Sequence, residues 1–491
     1  MANLIGACRH SRTVDRVRKR QAFAVKDSDS LEPKQRRVLL VCNDVIGVNM
    51  AGPGIRFWEF ARTLGQHFAV TLAVPPFVEM NQATLPDASC LPATICVCRR
   101  GAEVRALVAQ ADVVVTLAPV PVIYPFLSQA GVPLVIDMYD PFLLAYLNTG
   151  ADLLPKERLA LIEEHRYIHI SQGRMGDFFI CASEKQRDYW LGQLTVLGRI
   201  NPYTHDDDRT LRRLIDVVPF GLPPEPPRHT RQVLKGIWPG IAAGDKVIVW
   251  NGGLWDWFDT YTLVKSMARI AQQRTDVKLF FMGIRRPGTT LAQERAVSET
   301  ISLAQQLGLR DRCVFFNEWV PYQERQNYLL ESDIGVSLHL DHVESRFSFR
   351  SRFLDFVWAG LPVVVTQGDV TSDWVTTFRL GHVVPPGDVD ALTHALLALV
   401  NTPDLRQTYA ARFEQIAASY RWDVAARPLI DFCARPHFAA DRLHLAHIPV
   451  AGTPLSRWWK LPGKAWQALR AGGGAGLMRR INEYIQWKQK Q

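Results

Sequence analysis

Between Glu344 and Pro362 the chain reads Glu344-Ser-Arg-Phe-Ser348-Phe-Arg350-Ser-Arg352-Phe-Leu-Asp355-Phe-Val-Trp-Ala-Gly360-Leu-Pro362, its densest run of groups able to do chemistry. The spacing predicts a helix beginning near Ser348 and stopped by Gly360 and Pro362. Three unpaired N–H groups at its start, with Arg350 or Arg352 beside them, would make an anion site suited to a diphosphate. Asp355, one to two turns in, is placed to accept hydrogen bonds from ribose hydroxyls. An ordinary surface helix with the same charges satisfies this pattern too, so the elements around it must decide.

Those elements alternate. Arg37 to Cys42 is predicted to be a strand, Gly52-Pro-Gly54 a turn, and Ile55 to Leu64 a helix with Phe57, Phe60, Ala61 and Leu64 at helical spacing. Further strand-like runs fall at 69–74, 93–98, 112–117, 133–137, 177–181 and 216–218. A proline-rich break, Val218 to Pro227, precedes a second series of strands at 246–250, 277–282, 313–316, 333–337 and 362–365, separated by helices. Strand and helix in alternation imply α/β domains, here two tandem Rossmann-like, doubly wound domains facing a cleft. The expected boundaries are a basic leader at 1–37, domains at 38–220 and 221–435, and a basic tryptophan-rich tail at 436–491. Val113 to Ile136 has no charge over 24 residues but carries five interrupting positions, Pro119, Pro121, Pro125, Gly131 and Pro133, and reads as strand, short helix and strand rather than a membrane span.

Charge distribution narrows the class. The formal net charge is +9, but 1–37 carries +6 and 451–491 carries +7, which leaves −4 on 38–450. A slightly acidic body does not suit a nucleic-acid-binding domain. The tail interleaves Trp458, Trp459, Trp466 and Trp487 with lysine and arginine, the composition of a segment lying on an anionic membrane surface, or of one docked on its own domain. Eight cysteines without a Cys-x-x-Cys pair imply neither a zinc site nor a disulfide framework, and the leader has no apolar stretch of a secretory signal, so a reduced, cytoplasmic location is expected. No lysine-containing phosphate loop is present, Gly52-Pro-Gly54-Ile-Arg-Phe57 lacks the third glycine of a dinucleotide turn, and His205-Asp-Asp-Asp208 reads as a solvated loop, not a metal site.

With these residues in place, the resemblance is specific. Asp355-Phe-Val-Trp-Ala-Gly-Leu-Pro-Val-Val resembles the Glu-Ala-Met-Ala-x-Gly-x-Pro-Val-Val segment of the family 4 glycosyltransferases of the GT-B fold. Gly52-Pro-Gly54, Ile180-Cys-Ala-Ser183, Val218-Pro-Phe-Gly221 and Trp250-Asn-Gly-Gly253 fall where that family has its acceptor-side glycine turn, N-domain helix start, interdomain linker and C-domain glycine turn. The likeness covers roughly 38–435. It implies transfer of a sugar from a nucleotide-diphosphate donor to a hydroxyl acceptor, with retention and without a metal or a cofactor beyond that co-substrate, in glycan, polysaccharide or glycolipid synthesis. It also implies roles: Gly252, Gly253, Arg285, Ser348, Arg350, Arg352 and Asp355 on the donor, Gly52 and Gly54 in the acceptor-side loop, and Glu344 at the family's first glutamate. Asp137 and Asp140, at a strand end beside the expected cleft, would hold acceptor hydroxyls or orient the donor sugar.

The sequence departs from the family at two points. Ungapped alignment puts Phe347 where the first glutamate belongs, so Glu344 serves only if the preceding loop is three residues longer. The family's Arg and Lys after the C-domain glycine turn are replaced by Leu254-Trp-Asp-Trp-Phe258, leaving Arg350 and Arg352, then Arg285, to hold the diphosphate. A nucleotide-sugar epimerase, or a catalytically silent protein binding nucleotide sugar or glycan on this scaffold, fits the same pattern. The expected partners are a nucleotide sugar, a glycan or lipid-linked acceptor and an anionic membrane surface on the inner face, and no nucleic acid.

Overall fold

A computed structural model describes residues 35–78, 91–147, 154–285 and 294–445. The basic leader to residue 34 and the tryptophan-rich part of the tail, 446–491, lie outside the described residues.

The first seven strands are β1 (Arg37–Val41), β2 (Ala69–Val74), β3 (Thr94–Val97), β4 (Val113–Leu117), β5 (Leu134–Asp137), β6 (Phe178–Cys181) and β7 (Ile215–Val217). They form one sheet in the order 3-2-1-4-5-6-7, with every pairing parallel. The next six, β8 (Lys246–Trp250), β9 (Val277–Phe281), β10 (Val314–Phe316), β11 (Ile334–Ser337), β12 (Val363–Thr366) and β13 (Gly381–Val384), form a second parallel sheet in the order 10-9-8-11-12-13. Runs such as Val113-Val-Val-Thr-Leu117 are buried at every position because helices cover both faces of the sheet. The 24-residue uncharged stretch resolves, as expected, into β4, two short helical turns and β5. No helix among the described residues is long and apolar enough to cross a membrane.

Strand order reverses between β1 and β4 and again between β8 and β11, and the segments leaving β1 and β8 at these reversals carry Gly52 and Gly252. A crevice opens at such a switch point because adjacent connections leave to opposite faces of the sheet. The helix Gly52–Leu64 that follows β1 buries Phe57, Phe60, Ala61 and Leu64, the set predicted from spacing.

Two elements depart from expectation. The 21-residue helix Pro155–Met175 gives little periodicity because polar side chains, His169 and Gln172, occupy its buried side. The second domain does not run contiguously to 435. The chain crosses between domains at the 218–222 linker and returns near 420, where Leu222 N donates to Tyr420 O (2.6 Å) and Trp422 N to Leu222 O (3.1 Å). Beyond the return, Phe432 stacks on Phe178 of β6 at 4.6 Å, and Asp441 makes a buried two-point ion pair with Arg199 (2.8 and 3.0 Å). Residues 422–445 thus belong to the N-terminal domain, held by burial and by that pair. Gly221 allows the crossing, since a Cβ there would lie 2.6 Å from the Trp422 ring.

Candidate functional site

β8 ends in Trp250, and the chain turns through Asn251-Gly252-Gly253. Gly252 has φ +89°, a conformation that side-chain-bearing residues rarely adopt, and a Cβ there would lie 3.5 Å from the Arg352 guanidinium. Arg352 opens the helix Arg352–Ala359, which ends, as predicted, with Gly360 in the left-handed region. The helix starts later than Ser348 because Phe349 is buried between domains, 6.1 Å from Phe220 and 5.6 Å from Trp374 by ring centroids, and holds the chain extended there.

Arg352 donates from Nη2 to Gly253 O at 3.1 Å and lies 4.0 Å from the Phe258 ring centre and 4.9 Å from that of Trp250. Its buried Nη1 has no hydrogen-bond partner, and no carboxylate stands within ion-pair distance among the described residues. Burial first, then the neighbouring Arg350, pulls its pKa down to about 9 against the more distant charge of Asp355. A desolvated cation with a spare donor and no counter-ion is a site for an anion.

Arg352 lines a cavity of about 270 Å³ between the two domains. One wall is Met50, Gly52 and Ile55 with Gly221 of the linker, and the other is Asn251 to Gly253, Trp255, Gly283, Trp319, Arg325 and Asp355. Asp355 accepts from Arg325 Nε and Asn251 Nδ2, each at 3.0 Å. Arg325 is packed against the rings of Tyr322 (3.7 Å) and Trp358 (4.5 Å) and pairs directly with Asp355, so it positions that carboxylate and leaves Arg352 without an ion-pair contact among the described residues. The buried Asn251 Oδ1 and Trp319 Nε1 also lack protein partners, which adds an acceptor and a donor to the lining.

The structure therefore brings together Gly52, Gly252, Gly253, Arg352 and Asp355, and places the remaining candidates elsewhere. Arg350 is not free for a diphosphate: it is buried and makes a two-point ion pair with Glu344 (3.1 and 2.7 Å). Both oxygens of Glu344 are thereby engaged, and that side chain is 3% exposed, inside a cluster with His339, His342 and Asp369. Burial lowers the pKa of both histidines, His339 further through Arg350. Ser348 is buried and donates to Ser345 O, away from the cavity. Arg285 pairs with the exposed Glu318 (3.0 Å) outside the cavity lining. Asp137 is not in the cleft but below it, its two oxygens held by Arg56 (2.5 and 3.1 Å), whose Nη2 also donates to Val218 O of the linker. Gly54 is a packing position, since a Cβ there would meet Val45 O at 2.4 Å. Asp206, Asp207 and Asp208 are largely tied to local partners or exposed, and no group of three potential metal ligands stands together among the described residues.

Asp140, three residues beyond β5, has a different setting. Its side chain is exposed at the surface but surrounded by protein, and the resulting loss of hydration, then the charge of Glu344, raises its pKa to about 7 while Arg350 opposes the rise. The helix Val343–Phe347 that carries Glu344 leans on the N-terminal domain through Phe347 and Tyr189, 5.1 Å apart, and Lys185 pairs with Asp373 at 2.6 Å. Asp140 thus senses the charge of a C-domain carboxylate across the domain boundary.

Arg325, Asn251, Trp255 and Trp319 line the cavity without having been singled out in the sequence. Asn251 adjoins the glycine turn, which was a usable signal. Trp319, from a loop, and Arg325, which opens the helix Arg325–Glu331, are brought near only by the strand order.

Comparison with known proteins adds three findings. Residues 245–402 match the model of the family Glycosyl transferases group 1. A phosphatidyl-myo-inositol mannosyltransferase of Mycobacterium leprae is 34% identical over 83 residues, 17% of this chain and 22% of that relative. Among solved structures, HepE of Anabaena in complex with UDP and glucose superposes with a TM-score of 0.56 at 14% identity, covering 82% of this chain and 100% of that one. Sucrose-phosphate synthase of Thermosynechococcus elongatus does so with a TM-score of 0.54 at 13% identity, covering 82% and 99%. The chain therefore has the GT-B fold, and residues 245–402 of it are similar to the glycosyl transferases group 1 family.

Proposed function

We propose that the protein transfers a sugar from a nucleotide-diphosphate donor to a hydroxyl acceptor, with retention and without a metal ion. The observation that carries this reading is the unpaired, desolvated guanidinium of Arg352 beside the Gly252-Gly253 turn, in a cavity bounded by both domains. Negative charge develops on the leaving diphosphate, and a fixed cation at a helix start stabilises it without a metal. The spare Nη1 of Arg352 takes a phosphate oxygen, while Asp355, already oriented by Arg325 and Asn251, accepts from the ribose. Trp319 and Gly283 bound the end of the cavity left for the base. Asp140, from the N-terminal side, receives the acceptor's proton. Closure of the two domains excludes water and limits hydrolysis of the donor.

The acceptor is a glycan or a lipid-linked sugar, and the basic tail at 451–491 holds the enzyme at the inner face of the membrane. The mycobacterial mannosyltransferase supports a lipid acceptor, and the UDP and glucose of HepE support a nucleotide sugar donor. The closed Glu344–Arg350 pair favours one second reading, a protein that binds nucleotide sugar without turnover.

Product analysis tests the proposal. The full chain is incubated with UDP- and GDP-sugars and oligosaccharide or lipid-linked acceptors, with and without EDTA. Transfer that survives EDTA is expected; epimerised donor, or binding without turnover, would replace the reading by one of its rivals. Transfer abolished by EDTA and restored by Mn²⁺ would overturn its metal independence.

A further inference from the structure

We infer that Trp255 and Trp257 form a stacking platform for the donor's sugar ring, in place of the basic side chains expected after the glycine turn. The inference rests on the donor reading above and names the part of the donor that the turn recognises.

The segment Leu254-Trp255-Asp256-Trp257-Phe258 closes on itself through Phe258 N to Trp255 O (2.9 Å). Its two indoles lie parallel, with centroids 5.1 Å apart and planes inclined by 4°. Both are half-buried at the edge of the second domain's core, and Trp255 also lines the interdomain cavity. Large apolar rings held in order at a cavity wall mark a binding surface more often than a packing accident. The opposite end of the turn is deep core, where the fully buried Trp250 meets Phe258 edge-on at 5.4 Å.

The platform adjoins the anion site, because the Arg352 guanidinium rests on the same Phe258 ring at 4.0 Å. Its direction follows from the backbone. Leu340 N donates to Trp257 O at 3.1 Å, and Leu340 lies four residues before Glu344. The Trp257 end of the pair therefore borders the segment that leads to Glu344, and the Trp255 end borders the cavity. A pyranose presents a face of C–H bonds that suits the negative face of an indole, while its hydroxyls remain free at the edge. The replacement of cations by tryptophans thus shifts recognition at this turn from the phosphates to the sugar.

Calorimetric titration of the full chain with UDP, UDP-glucose, GDP and GDP-mannose tests this, in the parent, Trp255→Ala and Trp255→Phe. The parent is expected to bind at least one sugar nucleotide more tightly than its nucleoside diphosphate. Trp255→Ala should lose about three- to tenfold of that gain with the diphosphate affinity unchanged, and Trp255→Phe should keep most of it. Equal weakening of the diphosphate and the sugar nucleotide in Trp255→Ala, or a gain that survives intact, would overturn the platform alone. Absence of binding of all four compounds to the parent would overturn the donor reading and the platform with it.

Discussion

Arg350 and Arg352 are two residues apart and look equivalent in the sequence, yet they belong to opposite electrostatic regions. Arg350 faces a closed cluster, where Glu344 takes both ends of its guanidinium and His339, His342 and Asp369 surround the pair. Arg352 faces an open one, where a backbone carbonyl and two aromatic rings are its company and one donor is left over. Availability for a ligand is decided by whether a counter-charge is already present, not by the spacing along the chain. The closed region holds the helix Val343–Phe347 in place, and the open region is the part that can bind.

Breaking the closed region should have the largest energetic effect. Arg350→Met or Glu344→Leu alone leaves a buried charge unpaired and should lower stability by about 3–5 kcal/mol in urea unfolding, whereas the double replacement should recover much of that loss. Single variants within about 1 kcal/mol of the parent would mean that the pair is not buried in solution. Gly252→Ala perturbs the open region, since it forces a φ of +89° on a residue with a Cβ, which would meet Arg352 at ordinary contact distance. A loss of about 1–3 kcal/mol is expected, read from the thermal midpoint, and a neutral outcome would place the turn in another conformation.

Asp140 sharpens the comparison because it senses the closed region from the other domain. Its folded-state pKa of about 7 lies above the ordinary carboxyl value, through loss of hydration and then Glu344. The stabilisation from its protonated form is therefore complete below the ordinary carboxyl range and is lost as pH rises through about 7. Asp140→Asn should flatten that part of the stability profile. If Asp140 takes the acceptor's proton as proposed, transferase activity should rise through about pH 7 in the parent and lose that limb in the variant. Matching pH profiles for the two proteins would remove Asp140 from proton transfer. Arg285→Ala should have the smallest effect, within about 0.5 kcal/mol in stability and with unchanged nucleotide affinity, because its partner Glu318 is an exposed surface carboxylate.

Strands were legible in the sequence because a parallel sheet covered on both faces writes itself as apolar runs, and β2 and β8 have the predicted bounds. The helix Pro155–Met175 was not, since His169 and Gln172 on its buried side interrupt the pattern. Of the cavity lining, Gly252, Gly253, Arg352 and Asp355 were legible because local spacing fixes them around one turn and one helix start. Arg350 and Asp137 misled because their partners, Glu344 across a bend and Arg56 on another element, are set by tertiary packing. The return of 422–445 to the N-terminal domain was hidden for the same reason: Arg199 and Asp441 are 242 residues apart.

The most direct test of the account is the preference for a nucleoside diphosphate over the bare nucleoside, measured calorimetrically with UDP and uridine, and with GDP and guanosine, on the parent and on Arg352→Met. The parent should prefer the diphosphate of at least one base. Arg352→Met should lose about tenfold or more of that preference while binding the nucleoside as before, in line with the roughly 1.5–3 kcal/mol of a hydrogen bond to a charged group. A variant that retains the full preference would put the phosphate site elsewhere and contradict the assignment of the open region.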